Sequence, residues 1–217
     1  MINKSIENYP LFLLLGIIGW GFFDKATAFS LVSIVGKPQL VKKIYFPREV
    51  LVISACLTAL MMSLIEFCVF GVFLLGFNVL HYAIGYGNAY ILPTWVILLF
   101  PVIILVEFAL ALGVSLTIAS LNVIWRDVQW IWPVVMQAGF FLTPVMYSMA
   151  TLNGIPFARL LALNPMAGIL DSLRYSLIGM PAPIITDIAY VAVFAFVLLL
   201  LGGLIFSRME PKFAEEV

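Results

Sequence analysis

Five apolar runs dominate the 217-residue chain: Leu11–Val35, Leu51–Phe77, Ile91–Leu121, Ile131–Ser148 and Ile185–Phe206. Each approaches or exceeds the roughly 20 residues a helix needs to cross a ~30 Å hydrocarbon core. The third is long enough to tilt or to include an interfacial turn near Pro93. Of all residues 64% are hydrophobic and 10% charged, against about 45–50% and about 25% in soluble domains. A soluble body of this size has no interior large enough for that much apolar chain. In lipid, backbone N–H and C=O groups must be satisfied within the protein, which leaves helices for segments of this kind. The chain is therefore expected to be an all-α, polytopic membrane bundle of five spans plus short amphipathic and re-entrant helices, one domain over residues 1–217. A soluble enzyme, a nucleic-acid binder and a disulfide-stapled secreted domain are excluded.

Eleven Lys+Arg balance eleven Asp+Glu, so the chain as a whole has no polybasic attraction. Their distribution still carries information. With the N-terminus outside, the cytoplasmic pieces hold seven basic residues: Lys37, Lys42, Lys43, Arg48, Arg126, Arg208 and Lys212. The outer pieces hold three: Lys4, Arg159 and Arg174. The excess of basic residues on cytoplasmic loops predicts an outside N-terminus and a cytoplasmic C-terminus. The first run also resembles a secretory signal, with Lys4, an apolar stretch and the triplet Ala26-Thr27-Ala28. Glu7 cancels Lys4, and Gly and Trp interrupt the stretch, which favours a membrane span.

Catalytic chemistry finds little footing. Cys56 and Cys68 lie about 18 Å apart on a helix, beyond the ~7 Å Cα separation a disulfide tolerates. The single histidine, His81, is expected in an outer loop (Asn78–Tyr90) and cannot build a metal site with two such cysteines. No catalytic residue and no metal ligand is assigned. No Gly-rich G-x-x-x-x-G-K-[ST] cradle occurs, so the chain cannot itself drive ATP hydrolysis by that route, and if it does work the energy enters through a partner.

Asp24, Lys25, Glu66 and Glu107 fall inside the spans. A charge at the bilayer centre costs about 2.5–3.5 kcal/mol on insertion scales, so such groups face protein or water. They mark either a polar path between helices or structural interhelical pairs. Asp24 and Lys25 diverge by about 100° around a helix and need not pair with each other. In the loop Gly36–Val50, Val41, Ile44 and Tyr45 recur at helical spacing away from Lys42 and Lys43, which gives a short amphipathic helix closed by Pro47. Such a helix serves either as a headgroup anchor or as a lever for a cytoplasmic partner, and chemistry alone favours the anchor. Trp125, Trp130 and Trp132 fit an aromatic belt, with Arg126 and Asp127 in the turn beside them. The outer segment Met149–Ile184 reads as two short re-entrant or interfacial helices around a turn at Asn164-Pro165.

These pieces resemble one family. Leu40-Val-Lys-Lys-Ile-Tyr-Phe-Pro-Arg-Glu-Val-Leu51, Ala119 through Arg126-Asp127, Gln137-Ala-Gly-Phe-Phe-Leu-Thr-Pro-Val-Met-Tyr147, Leu163-Asn-Pro-Met166 and Arg174 appear in order. The set is similar to the membrane subunit of ATP-binding-cassette exporters of O-antigen, capsule-like glycans and teichoic acids. The resemblance implies a permease of the cytoplasmic (inner) membrane that is not itself an enzyme. It would act with a second copy of itself and two cytoplasmic ATPase subunits. The substrate would be a lipid-linked or cell-surface polysaccharide, with no nucleic-acid partner and lipid around it. No cofactor is bound directly, and ATP and Mg act through the ATPase. Carried over by position, Leu40, Lys42, Lys43, Phe46, Pro47, Arg48 and Glu49 match the first coupling segment, and Arg126 and Asp127 the second. Gln137, Phe140, Phe141, Thr143 and Tyr147 match the translocation path or gate, to which the intramembrane Glu66 and Glu107 are added as candidates. With the resemblance, the lever reading of Gly36–Val50 outweighs the anchor.

Family members open with an amphipathic helix and a first membrane helix, and the spans here correspond to the second helix onward. The expectation is of a subunit lacking both, through a late-called start or as a remnant. Two alternatives stand beside glycan export: an exporter of small amphiphiles or drugs, and a non-transporting membrane scaffold or lipid-linked sugar transferase.

Overall fold

A computed structural model of the chain describes residues 8–37, 47–84, 95–149, 161, 163–180 and 185–213. The regular elements among them are all helical. They are α1 (Tyr9–Ser33), α2 (Glu49–Ile84), a 3₁₀ turn (Trp95–Leu99) leading into α3 (Phe100–Ile124), α4 (Val128–Leu142), α5 (Pro165–Ile178) and α6 (Ile185–Met209), which runs into a 3₁₀ turn (Glu210–Lys212). Among the described residues four stretches are long and apolar enough to cross a membrane: Tyr9–Ser33, Glu49–Leu80, Trp95–Ile124 and Ile188–Lys212. They correspond to four of the five expected runs. The helix expected around Val41–Tyr45 and the outer residues 150–160 lie outside the described residues.

Two boundaries differ from expectation, each for a local reason. The fourth run ends early, as α4, whose 15 residues rise only about 22 Å. Thr143 precedes Pro144, and the proline ring drives it out of the helical region to φ −90°, ψ 142°. Conversely, α2 continues through Ile84 and takes in the backbone of Asn78 and His81, which were expected in a loop. No Gly or Pro interrupts the chain between Phe77 and Gly85, so nothing local stops the helix.

α1 occupies the centre of the bundle, with α2, α3 and α5 packed around it and α4 touching it along a narrower strip. α3 and α6 make the broadest pairing. Lipid offers no hydrophobic drive between helices, so close backbone approach and interhelical hydrogen bonds hold such a bundle together. Asn122 Nδ2 donates to the Leu31 carbonyl at 2.8 Å and Ser115 Oγ to the Ala26 carbonyl at 3.4 Å, both joining α3 to α1. Ser30 Oγ lies 3.2 Å from Cys56 Sγ, joining α1 to α2.

A second buried cluster gathers Ile34, Leu51, Val52, Leu116, Ala119, Val123, Phe206 and Phe213. It brings the last turns of α1, α3 and α6 and the first turn of α2 to one end of the bundle. Outward faces of α2 and α6 carry exposed Met61, Ile65, Val69 and Val72, and Val193, Phe196, Leu200 and Leu204. Their spacing of three to four residues makes continuous apolar stripes, the surface that lipid covers.

Candidate coupling and translocation site

The helix ends gathered by that cluster carry both candidate coupling pieces. Pro47 has no N–H to leave unpaired, and its carbonyl accepts from Val50 N at 3.2 Å, so Pro47–Glu49 lead directly into α2. Arg48 is further held by Glu210, to whose carbonyl its guanidinium donates. Arg126 and Asp127 sit exposed in the turn between α3 and α4. The Asp127 carbonyl accepts from Trp130 N at 3.0 Å and Ile131 N at 3.2 Å, which starts α4 without a side-chain cap. Leu40, Lys42, Lys43 and Phe46 lie outside the described residues. The described parts of the two segments therefore lie at the same end of the bundle.

α4 presents two unlike faces. Its inner face seats on α1: Met136 is buried and takes a weak hydrogen bond from Thr27 Oγ1 at 3.6 Å. Gly139 lies under the Trp20 indole, where an added Cβ would come within 2.8 Å of the ring. Phe140 meets Trp20 edge-on at 6.3 Å between ring centres, which makes it half packing residue. The opposite face holds Trp130, Val134, Gln137 and Phe141, spaced three to four residues apart and all exposed. Gln137 is the one amide on that face, and Phe141 stands 65% exposed with its ring perpendicular to Phe140. Tyr147, half-buried, folds back so that its hydroxyl reaches the carbonyls of Phe141 and Leu142 at 3.3 and 3.2 Å.

Two residues expected beside the path or gate are instead enclosed. Thr143 is fully buried, and its hydroxyl accepts from Asn164 Nδ2 at 2.8 Å. Asn164 in turn caps α5, its Oδ1 accepting from Met166 N at 3.1 Å. The Asn164-Pro165 pair read as a turn is thus a helix start with proline in the first position. Glu107 is also fully buried, facing Gly19 of α1 where Leu170 and Leu173 of α5 press in. Neither of its carboxylate oxygens has a hydrogen-bond partner among the described residues. Neither residue reaches an open surface in this conformation.

Glu66 pairs with Lys25 across the α1–α2 contact. The adjacent Asp24 points elsewhere around the helix, as its spacing requires. The pair stands in a groove of about 470 Å³ between α1 and α2, otherwise lined by apolar side chains such as Ile17, Ile65 and Phe73. A lone carboxylate within the membrane costs more than a matched pair or none. Lys25→Leu is therefore expected to destabilise the bundle by about 2 kcal/mol, and Lys25→Leu with Glu66→Leu to recover most of that loss. Thermal unfolding of the solubilised protein checks this, and equal losses in the single and double variants would rule out a pairing role.

At the other end of the bundle, Tyr9 donates to the Met146 carbonyl at 3.2 Å. Arg174 of α5, 1% exposed, donates through Nη2 to the Val145 carbonyl at 2.9 Å and through Nη1 to Asp171 at 3.2 Å. Its guanidinium lies 3.5 Å over the Phe12 ring. The sequence marked Arg174 as an outer basic residue and a family landmark, and gave no sign of the Glu210–Arg48 contact. No local motif announces either, because each joins segments far apart in the chain.

The profile of the family described as ABC-2 type transporter matches residues 2–178. The O-antigen export system permease protein RfbA of Myxococcus xanthus is 30% identical over 218 residues, spanning 100% of this chain and 79% of that protein. Two proteins of the same description from Klebsiella pneumoniae are 27% and 28% identical over 219 residues, each alignment spanning 99% of this chain and 78% of the relative.

Proposed function

The chain belongs to the ABC-2 type transporter family, and from that premise we propose that it is the membrane subunit of an ATP-driven exporter of a cell-surface polysaccharide. The observation that carries this reading is the alignment, along essentially the whole chain, with O-antigen export permeases from two kinds of bacteria. ATP is bound and hydrolysed by two copies of a cytoplasmic ATPase, and two copies of the permease form the path between them. The protein lies in the cytoplasmic membrane with its C-terminus inside.

In this mechanism the ATPase pushes on the Leu40–Glu49 segment and on Arg126–Asp127. The described parts of both belong to one end of the bundle, which supports a concerted push. Arg126–Asp127 leads straight into α4, which touches the bundle mainly through Trp20, Met136, Gly139 and Phe140. That strip is narrow enough to part, separating α4 from α1 and opening a channel. A long polymer cannot be enclosed in one cavity, so threading in steps is the physically reasonable mode. Phe141, with Gln137 beside it, offers a sugar a flat apolar face and few strong hydrogen bonds, and Phe140 and Tyr147 flank it. Weak repeated contacts let a chain slide.

The first test is a chromosomal deletion complemented by tagged protein, scored for surface glycan and for a co-purifying ATPase. Loss of glycan on deletion, with an ATPase bound to the tagged chain, is the expected result. Phe141→Ala should then reduce export about fivefold, the effect of losing one aromatic contact of ~1 kcal/mol, with assembly unchanged. Unaltered export in that variant would remove Phe141 from the path. A second reading, export of small amphiphiles, is favoured by the apolar groove with its ion pair between α1 and α2. Drug hypersensitivity of the deletion strain with normal surface glycan would select it.

A further inference from the structure

The structure assigns the segment Glu210–Phe213 a positioning role in coupling: it caps α2 from the end of α6 and makes the first coupling segment move with α6. The inference rests on the exporter reading above.

α2 begins at Pro47-Arg48-Glu49 with no Ser, Thr, Asp or Asn in the capping position. A helix start leaves its first N–H groups without internal partners, and a nearby side-chain oxygen ordinarily fills that need. Here the oxygen arrives from 162 positions away: the Arg48 backbone N–H donates to Glu210 Oε1 at 3.4 Å. The Arg48 guanidinium donates to the Glu210 backbone carbonyl, so the two residues are joined twice. A carboxylate at this point also meets the positive end of the α2 dipole.

The segment is fixed on its other side by packing. After the 3₁₀ turn Glu210–Lys212 the chain places Phe213 fully buried, with its ring edge-on to the equally buried Phe206 at 5.3 Å. Both rings belong to the cluster with Ile34 of the α1 exit, Leu51 and Val52 of α2, and Leu116 and Val123 of α3. Glu210 therefore holds the coupling segment while Phe213 holds Glu210. α6 in turn is pressed backbone to backbone against α3 at Gly113 and Gly202. A push on Pro47–Glu49 then displaces α2, α6 and α3 together. With the strap cut, the first turn of α2 yields alone and the stroke is spent locally.

The test uses the full chain in complex with its ATPase, in membranes. Glu210→Ala and Phe213→Ala are compared with the conservative Glu210→Gln and Phe213→Leu. Amide hydrogen exchange across Arg48–Val52 is expected to accelerate about tenfold in Glu210→Ala, as for loss of a helix cap. Glycan exported per ATP hydrolysed is expected to fall about fivefold or more in both alanine variants, the lower range of coupling between sites. ATPase activity and the amount of assembled complex stay near wild type in Glu210→Ala. The export ratio of Phe213→Ala is taken per assembled complex, because the change empties a fully buried site. The conservative variants recover most of the export ratio. Unchanged exchange at the start of α2 overturns the cap. Faster exchange with an unchanged export ratio overturns the coupling role and leaves the exporter reading standing. A wild-type complex that exports no glycan overturns that reading and this inference with it, while the exchange data still report on the contact.

Discussion

Replacing Gly113 or Gly202 with alanine is expected to lower the melting temperature of the solubilised permease by about 6–12 °C. The figure follows from a loss of ~3 kcal/mol, the upper end of the usual overpacking cost, at roughly 2–4 °C per kcal/mol for a chain of this length. A Cβ on Gly113 would sit 2.6 Å from the Leu198 carbonyl carbon and the Leu199 nitrogen. A Cβ on Gly202 would overlap the Gly113 carbonyl oxygen and come within 3.1 Å of its Cα. These neighbours are backbone, so no rotamer change relieves the contact and the two helices must separate. Separation loosens the broadest helix pairing in the bundle, where dispersion contacts at close range replace the missing hydrophobic drive. Gly203 is the matched control: it follows Gly202 on the same helix, and nothing lies within 4 Å of an added Cβ. Gly203→Ala should be neutral or stabilising, since alanine is the better helix former by about 1 kcal/mol. Equal melting of Gly113→Ala and wild type would mean that α3 and α6 do not meet at this crossing.

This glycine contact also marks where sequence reasoning stops. Apolar runs and their flanking signals placed four spans to within a few residues, because length and hydropathy are local properties. Intramembrane charges could be named from the sequence for the same reason. Their partners could not: Lys25 finds Glu66 forty-one residues on, and the Glu107 carboxylate, facing Gly19 of α1, has no hydrogen-bond partner among the described residues. Which faces meet is set by the whole packing, and a period of 3.6 says nothing about it in helices that are apolar all round. The early end of α4 was legible in Thr143-Pro144. The continuation of α2 to Ile84 was obscured by Asn78 and His81, polar residues that a helix tolerates where it leaves the hydrocarbon. On α4 the sequence named Gln137 and Phe141, which lie on the open face, and just after it Thr143, which is buried and accepts a hydrogen bond from Asn164. A motif copied by position does not distinguish a residue that lines a surface from its neighbour that turns inward.

Arg174→Met is expected to be the most damaging single change at the end of the bundle opposite the coupling segments, costing about 2–3 kcal/mol, the upper range for a buried acceptor left without its donor. Burial pulls the Arg174 guanidinium down from its usual range to about 10, with Asp171 opposing the shift, so it remains charged at neutral pH. The guanidinium is used in three directions at once. Nη2 satisfies the Val145 carbonyl in the turn after α4, Nη1 reaches Asp171 on its own helix, and the flat face lies over Phe12 of α1. Methionine fills much of the volume but leaves the Val145 carbonyl buried without a donor, which is more costly than never having made the bond. Gly16 completes the arrangement: a Cβ there would sit 2.7 Å from Nη2 and 2.8 Å from the Val145 oxygen, so α1 must be bare at this point. Lysine restores the charge but not the planar fork or the ring stacking, so Arg174→Lys should fall between wild type and Arg174→Met. Gly16→Val should reproduce most of the Arg174→Met defect from the opposite helix. Melting temperature and protease sensitivity of the turn after α4 are the measurements to make. Combining Gly16→Val with Arg174→Met should add much less than the sum of the two, because both break the same contact. Full additivity would mean that Gly16 and Arg174 act independently, and that α5 is held against α1 by its apolar face alone.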